Sequence, residues 1–218
     1  MQNNQLNIII LAAGKGTRMH SSQPKVLHEV GGKALLGHVI DCANSLNPIK
    51  IIVVYGFGGE QVKSAFQQEN LVWAEQKEQL GTGHAVQQAL PHLEENSKTL
   101  ILLGDVPLIS SEACKALLAQ ANNQLMIQSF NKPSPTGYGR IVRNEQGSMR
   151  AIVEEKDATT AQRTINEVNT GIMAMPTKQL TNWLSRLSND NTQQEYYLTD
   201  VVGFAVEDNM LVNADITD

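Results

Sequence analysis

The sequence predicts an α/β fold on a mostly parallel sheet, and three observations carry that reading. Residues 8–11, 49–54 and 99–103 are short β-branched or aliphatic runs without polar alternation, as strands buried on both faces require. Between them, apolar residues recur at helical spacing instead. The residues just after the runs (Ala12, Ala13 and Gly14; Tyr55 and Gly56; Gly104 and Asp105) are small, glycine-rich or acidic. Those are the positions at which an open α/β sheet places its ligands.

The elements follow in order. Leu35, Leu36, Val39, Ile40, Ala43 and Leu46 form one helical stripe after the first strand. Val62, Ala65 and Phe66 mark a second helix, residues 71–73 a short strand, and Ala85, Val86, Ala89 and Leu90 a third helix. Ala113, Leu117, Leu118 and Ala121 give a fourth, with Ser110 and Ser111 as capping residues at its start. Alternation of this kind implies right-handed crossovers. Beyond about residue 130 the rhythm changes. The stretch NKPSPTGYGRIVRNEQGSMRAIVEEK, residues 131–156, reads as a polar loop, a strand, a turn around Glu145, Gln146 and Gly147, and a second strand. Residues 172–175 add a strand, and 180–187 and 198–206 read as helices. A chain of 218 residues fits one domain, 1–218, with a doubly wound front half over about 1–130 and an inserted hairpin region in the rear half, about 131–218.

Composition excludes several functions. Seventeen basic against twenty-two acidic residues leave a formal charge of −5, so there is no broad basic surface for nucleic acid or anionic lipid. No apolar stretch reaches the ~18 residues of a membrane span, and the polar MQNNQ start lacks the features of a secretory signal. Cys42 and Cys114 lie in apolar helical patterns without metal-ligand spacing, which suits buried free thiols and a cytoplasmic, reducing location. The five histidines show no zinc-site spacing and no partner nucleophile, so histidine-based or covalent catalysis is not expected.

The loop LAAGKGTRM, residues 11–19, is neither of two common phosphate loops. Gly14 and Gly16 are too close for the Walker spacing, and Met19 stands where the dinucleotide fingerprint needs its third glycine. A plain glycine turn is the alternative. Against it stand Lys15, Arg18 and Lys25 within a dozen residues: glycines admit an anion close to backbone N–H groups, and cations balance its charge. Asp105, at the end of the strand formed by 99–103, is either a turn or cap residue or a carboxylate for Mg²⁺, which takes one or two such ligands beside substrate phosphates.

LAAGKGTRM followed by PKVLHEVGGKALLGHVI resembles the signature of the sugar nucleotidyltransferases. EQLGTGHA, GDVPLI, PTGYGRI, IVEEKDAT, EVNTGI and EYYLTD extend the likeness, in order, to the uridylyltransferase domain of the bifunctional GlmU family. The resemblance implies a three-layer, Rossmann-like fold of the nucleotide-diphospho-sugar transferase (GT-A-like) type. It implies UTP and N-acetylglucosamine-1-phosphate as substrates, UDP-N-acetylglucosamine and pyrophosphate as products, and Mg²⁺ as cofactor, held by Asp105. It assigns catalysis to Arg18, Lys25 and Asp105. Nucleotide binding falls to Leu11, Ala12, Ala13, Gly14, Lys15, Gly16, Arg18, Lys25, Gln76, Gly81, Thr82, Leu103 and Gly104, with Gln76, Gly81 and Thr82 on the uracil. Gly139, Glu154 and Asn169 would hold the sugar, with Tyr197 and Thr199 on its acetamide side. Leu103 stands where relatives often carry tyrosine. The family's second Mg²⁺ ligand, an asparagine, and its β-helix acetyltransferase domain lie beyond the last motif matched here. A monomer or weak dimer is therefore expected, with impaired turnover, and a trimer only with the β-helix. Two other readings stay open: a sugar or small-alcohol nucleotidyltransferase of the same fold using another base, and a non-catalytic nucleotide-sugar sensor or scaffold.

Overall fold

The computed structural model describes residues 5–14, 16, 21 and 23–217. The front half runs β1 (Leu6–Ala12), a small hairpin of β2 (Glu29–Val30) and β3 (Lys33–Ala34), α1 (Leu35–Ser45), β4 (Lys50–Tyr55), α2 (Gly59–Ala65), β5 (Leu71–Glu75), α3 (Thr82–Ala89), β6 (Lys98–Leu103), α4 (Ser111–Gln120) and β7 (Gln124–Asn131). The rear half adds β8 (Arg140–Arg143), β9 (Met149–Val153), α5 (Thr160–Arg163), β10 (Glu167–Pro176), α6 (Thr177–Leu184), α7 (Val201–Glu207) and β11 (Leu211–Thr217).

Seven strands lie in the order β11-β7-β10-β6-β1-β4-β5, and the hairpin β8–β9 attaches to β10. β6, β1, β4 and β5 are mutually parallel. β10 runs antiparallel between β6 and β7, so the expected mostly parallel sheet carries one reversed strand at its centre. The double-sided burial read from the apolar runs is present: Ile8, Ile9 and Ile10 are all fully buried. Successive side chains point to opposite faces of a strand. Ile8 and Ile10 therefore join Leu36, Val39 and Ile40 of α1, Val62 of α2 and Leu117 of α4 on one face. Ile9 joins Val86 of α3, Trp183 of α6 and Val201 of α7 on the other. This gives the expected three layers.

Several elements differ from the sequence pattern. β7 and β11 have no counterpart in it, because Gln128 and Ser129 interrupt the apolar run of one and Asn213 and Asp215 that of the other. Thr170 donates to the Gln128 backbone carbonyl, and Ser129 donates to Glu167, so the Ser129 hydroxyl is satisfied inside the sheet. β10 is ten residues long rather than four, and α6 begins at Thr177, directly after Pro176. The segment expected as one helix from residue 198 opens with a 3-10 turn, Leu198–Asp200, before α7. Ser110 caps α4 as expected, accepting from Ala113 N–H at 3.1 Å. Among the described residues no helix is long and apolar enough to cross a membrane.

β1 has β4 on one side and β6 on the other, so the chain's direction of winding reverses there. A crevice opens at such a point, beyond the carboxyl ends of the strands.

Candidate active site

A cleft of about 680 Å³ occupies that crevice, lined by Leu11 through Gly14, Gly16, Lys25, Gln76, Gln79, Gly81, Thr82, Leu103, Asp105 and Glu195. A smaller cavity of about 350 Å³, bounded by Gln5, Lys98 and Lys115, lies at the opposite end of the strands, away from the residues that follow them.

The floor of the cleft is built by β1 and β6. Gly104 N–H donates to the Leu11 carbonyl at 2.9 Å, and a Cβ on Gly104 would stand only 3.1 Å from that oxygen. The tight approach sets Asp105 beside the end of β1. Gly16 has φ +58°, and a Cβ there would meet Lys25 Cβ at 2.8 Å, so glycine lets the loop lie directly on Lys25. Lys25 itself opens a single 3-10 turn pinned by buried Val26 and by Leu27 N–H on the Pro24 carbonyl. Its Nζ reaches Asp105 Oδ2 at 2.5 Å. With Ser110 capping α4, Asp105 is not the helix cap, and the turn-or-cap alternative loses its second half. Lys15 and Arg18 lie outside the described residues.

At the second wall, Gln76 is only 3% exposed. Its amide nitrogen lies 3.0 Å from the Gly81 carbonyl and 3.1 Å from His84 Nδ1. Gly81 has φ +112°, and a Cβ there would fall 2.6 Å from the Tyr196 carbonyl. Gly81→Ala therefore combines a forbidden backbone with a clash. A loss of nucleotide binding of about tenfold or more, with a stability cost above ~1 kcal/mol, is expected in titration and thermal unfolding. Thr82 turns its hydroxyl to the Leu198 N–H at 3.0 Å and so ties this wall to the turn before α7.

The sugar candidates converge beyond. Thr199 Oγ1 donates to Glu154 Oε1 at 3.0 Å, a Cβ on Gly139 would lie 3.5 Å from both Glu154 oxygens, and Asn169 N–H donates to the Gly139 carbonyl at 2.9 Å. Asn169 Oδ1 accepts Gly171 N–H at 2.9 Å, which leaves its amide nitrogen for other contacts. Tyr197 stands apart from this group. It is 6% exposed, and its hydroxyl donates to Asp157 Oδ2 at 3.0 Å while accepting from Gln193. Burial, and then the Asp157 carboxylate, push its phenol up to about 12, so it remains a donor that braces the loop.

Burial, opposed by the Thr199 bond and reinforced by the charges of Asp200, Asp157 and Glu195, raises the Glu154 carboxyl above its usual range. Below the ordinary glutamate range it is protonated in folded and unfolded chains alike, and nothing is lost. As pH rises from that range through the raised value, ionisation in the fold costs stability, and above it the cost is complete. Glu154→Gln is therefore expected to raise the unfolding midpoint of the free chain at neutral pH by about 2–4 °C, the shift that ~1 kcal/mol produces at this size. An unchanged or lower midpoint would contradict the assignment of strain.

Four contributors escape the sequence reading. Gln79 Nε2 donates to the Gln76 carbonyl at 3.0 Å, His84 meets the Gln76 amide, and Asp157 holds Tyr197. Arg140, 1% exposed, ties the Tyr138 carbonyl to Glu155 at 2.6 Å and so joins the loops that carry Gly139 and Glu154. Arg140 opens the short strand RIVR, and nothing in that sequence distinguishes it from an exposed strand-end arginine.

For a cation, the described residues contain no group of three or more metal-ligating side chains. Asp105 is a single hard oxygen donor at the mouth of a glycine loop. That fits Mg²⁺, which is commonly held by one or two carboxylates and completed by substrate phosphates and water.

Comparison with known proteins agrees with this fold. Residues 8–166 match the MobA-like NTP transferase domain family. The chain is 58% identical, over 97% of its length, to the bifunctional protein GlmU of Methylobacillus flagellatus, and 54% identical, over 98%, to that of Neisseria meningitidis. It covers 46% of each, so it spans about half the length of the curated relatives it matches. Its fold superposes on the crystal structure of UDP-glucose pyrophosphorylase complexed with UDP-glucose with a TM-score of 0.79, covering 96% of this chain and 90% of that one, at 15% identity. The chain belongs to the MobA-like NTP transferase family, as a nucleotidyltransferase domain homologous to part of the GlmU proteins.

Proposed function

We propose that the chain transfers the uridylyl group of UTP to N-acetylglucosamine-1-phosphate, giving UDP-N-acetylglucosamine and pyrophosphate for cell-wall precursor synthesis in the cytoplasm. The observation that carries this reading is the meeting, in one cleft, of the glycine loop, the Lys25–Asp105 pair and the buried Gln76 amide. The motif-by-motif likeness to GlmU proteins supports the choice of base and sugar.

The acceptor phosphate is ionised at neutral pH, so no general base is needed. Its oxygen attacks the α-phosphorus in line, the bond to the β-phosphate oxygen breaks, and the electron pair leaves with pyrophosphate. Catalysis then rests on positioning two anions and stabilising spreading charge. Lys25 moves from Asp105 to the α-phosphate, and Arg18 receives the leaving pyrophosphate. Backbone N–H groups of residues 12–16 cradle the triphosphate. Asp105 would hold Mg²⁺, which when bound would neutralise charge on the phosphate oxygens. Gln76, Gly81 and Thr82 take the base; Gly139, Glu154, Asn169 and Thr199 take the sugar from the rear half, with Tyr197 behind them.

A thermal-shift panel of nucleoside triphosphates and nucleotide sugars with Mg²⁺ tests the reading. UTP and UDP-N-acetylglucosamine are expected to give the largest stabilisation. A preference for GTP or CTP overturns it.

A further inference from the structure

The Gly81 carbonyl oxygen accepts Ala85 N–H, 3.1 Å away, in the first turn of α3. A carbonyl can only accept, so the Gln76 atom 3.0 Å from it is the amide nitrogen. That nitrogen has a second proton, and His84 Nδ1 lies 3.1 Å from it. Nδ1 must then be an acceptor, which puts the proton of the neutral ring on Nε2. The Gln76 backbone is fixed as well: its N–H donates to the Tyr55 carbonyl at 2.8 Å, and its carbonyl accepts Gln79 Nε2 at 3.0 Å. With both amide protons engaged, what Gln76 offers the cleft is its oxygen.

We infer that His84 is a positioning residue for base selection: by accepting the second Gln76 amide proton, it makes Gln76 an acceptor toward the bound base. This rests on the uridylyl reading given above. An acceptor pairs with the ring N–H of uracil and is opposed by the lone pair at the matching position of cytosine. Reversing the amide to suit cytosine would break the Gly81 bond, set its oxygen against the Gly81 carbonyl, and force the His84 proton from Nε2 to Nδ1. Without His84 no proton shift opposes that reversal, and only the Gly81 bond resists it. A buried polar group left unpaired discriminates strongly between otherwise similar ligands. Tyr196, its ring centroid 6.3 Å from that of His84, packs beside the imidazole.

The test is the ratio of Kd for CTP to Kd for UTP, measured by calorimetric titration with Mg²⁺, on the chain and on three variants. His84→Leu and the smaller His84→Ala remove the acceptor. His84→Asn keeps one, because its Oδ1 stands where Nδ1 stood. The leucine and alanine variants are expected to lose about tenfold of the preference for UTP, and the asparagine variant to keep it. An unchanged ratio in the leucine or alanine variant, or an equal loss in the asparagine variant, overturns the role of His84 while leaving the uridylyl reading intact. An unaltered chain that binds CTP as tightly as UTP overturns both.

Discussion

Lys25→Ala is expected to lower kcat by ~10²–10³-fold while changing the Kd for UTP by less than about tenfold. Lys25 lines the cleft, and its resting partner is Asp105 at 2.5 Å rather than a bulk counterion. The pair is 40% and 31% exposed, so it contributes at most ~1 kcal/mol to stability, and breaking it leaves the fold in place. The triphosphate keeps its backbone cradle without Lys25. What is lost is the charge that meets the α-phosphate as it becomes five-coordinate, an interaction made mainly in the transition state. Pre-steady-state turnover together with equilibrium titration separates the two quantities. Near-normal turnover, or an equal loss in binding and kcat, would sink the assignment.

Asp105→Asn is expected to cost at least as much in turnover, ~10³-fold, and to do so through the cation. The substitution keeps the shape of the side chain and its place between Gly104 and Val106, and removes the charge. Two signs should accompany the loss: a higher Mg²⁺ requirement, and a weaker dependence of UTP binding on Mg²⁺. Because Lys25 and Asp105 touch, their effects should not add, and the double variant Lys25→Ala/Asp105→Asn should fall short of the product of the single losses. A variant with unchanged Mg²⁺ dependence would place the cation elsewhere.

Much of this site is legible in the sequence because the sheet is buried on both faces. Strands β1, β4 and β6 declare themselves by unbroken apolar runs, and the residues that end them are the ones the fold gathers. What the pattern misses has physical causes. β7 hides behind Gln128 and Ser129, polar yet buried, with the Ser129 hydroxyl held by Glu167 across the sheet. The reversed insertion of β10 between β6 and β7 depends on pairings far apart in sequence, which no local periodicity records. Tyr197 and Thr199 are two residues apart near the start of a 3-10 turn, yet one braces Asp157 and the other meets Glu154. His84 carries no motif spacing of its own; its role follows only from the donor and acceptor geometry around Gln76.

The identity of the reaction is read most directly from pyrophosphate release with Mg²⁺ from each nucleoside triphosphate paired with each candidate sugar-1-phosphate. Release is expected from UTP with N-acetylglucosamine-1-phosphate, with UDP-N-acetylglucosamine formed in equal amount and both lost in Asp105→Asn. Release from CTP or GTP in preference to UTP, or UTP binding with no pyrophosphate formed at high enzyme and Mg²⁺, would contradict the uridylyl reading.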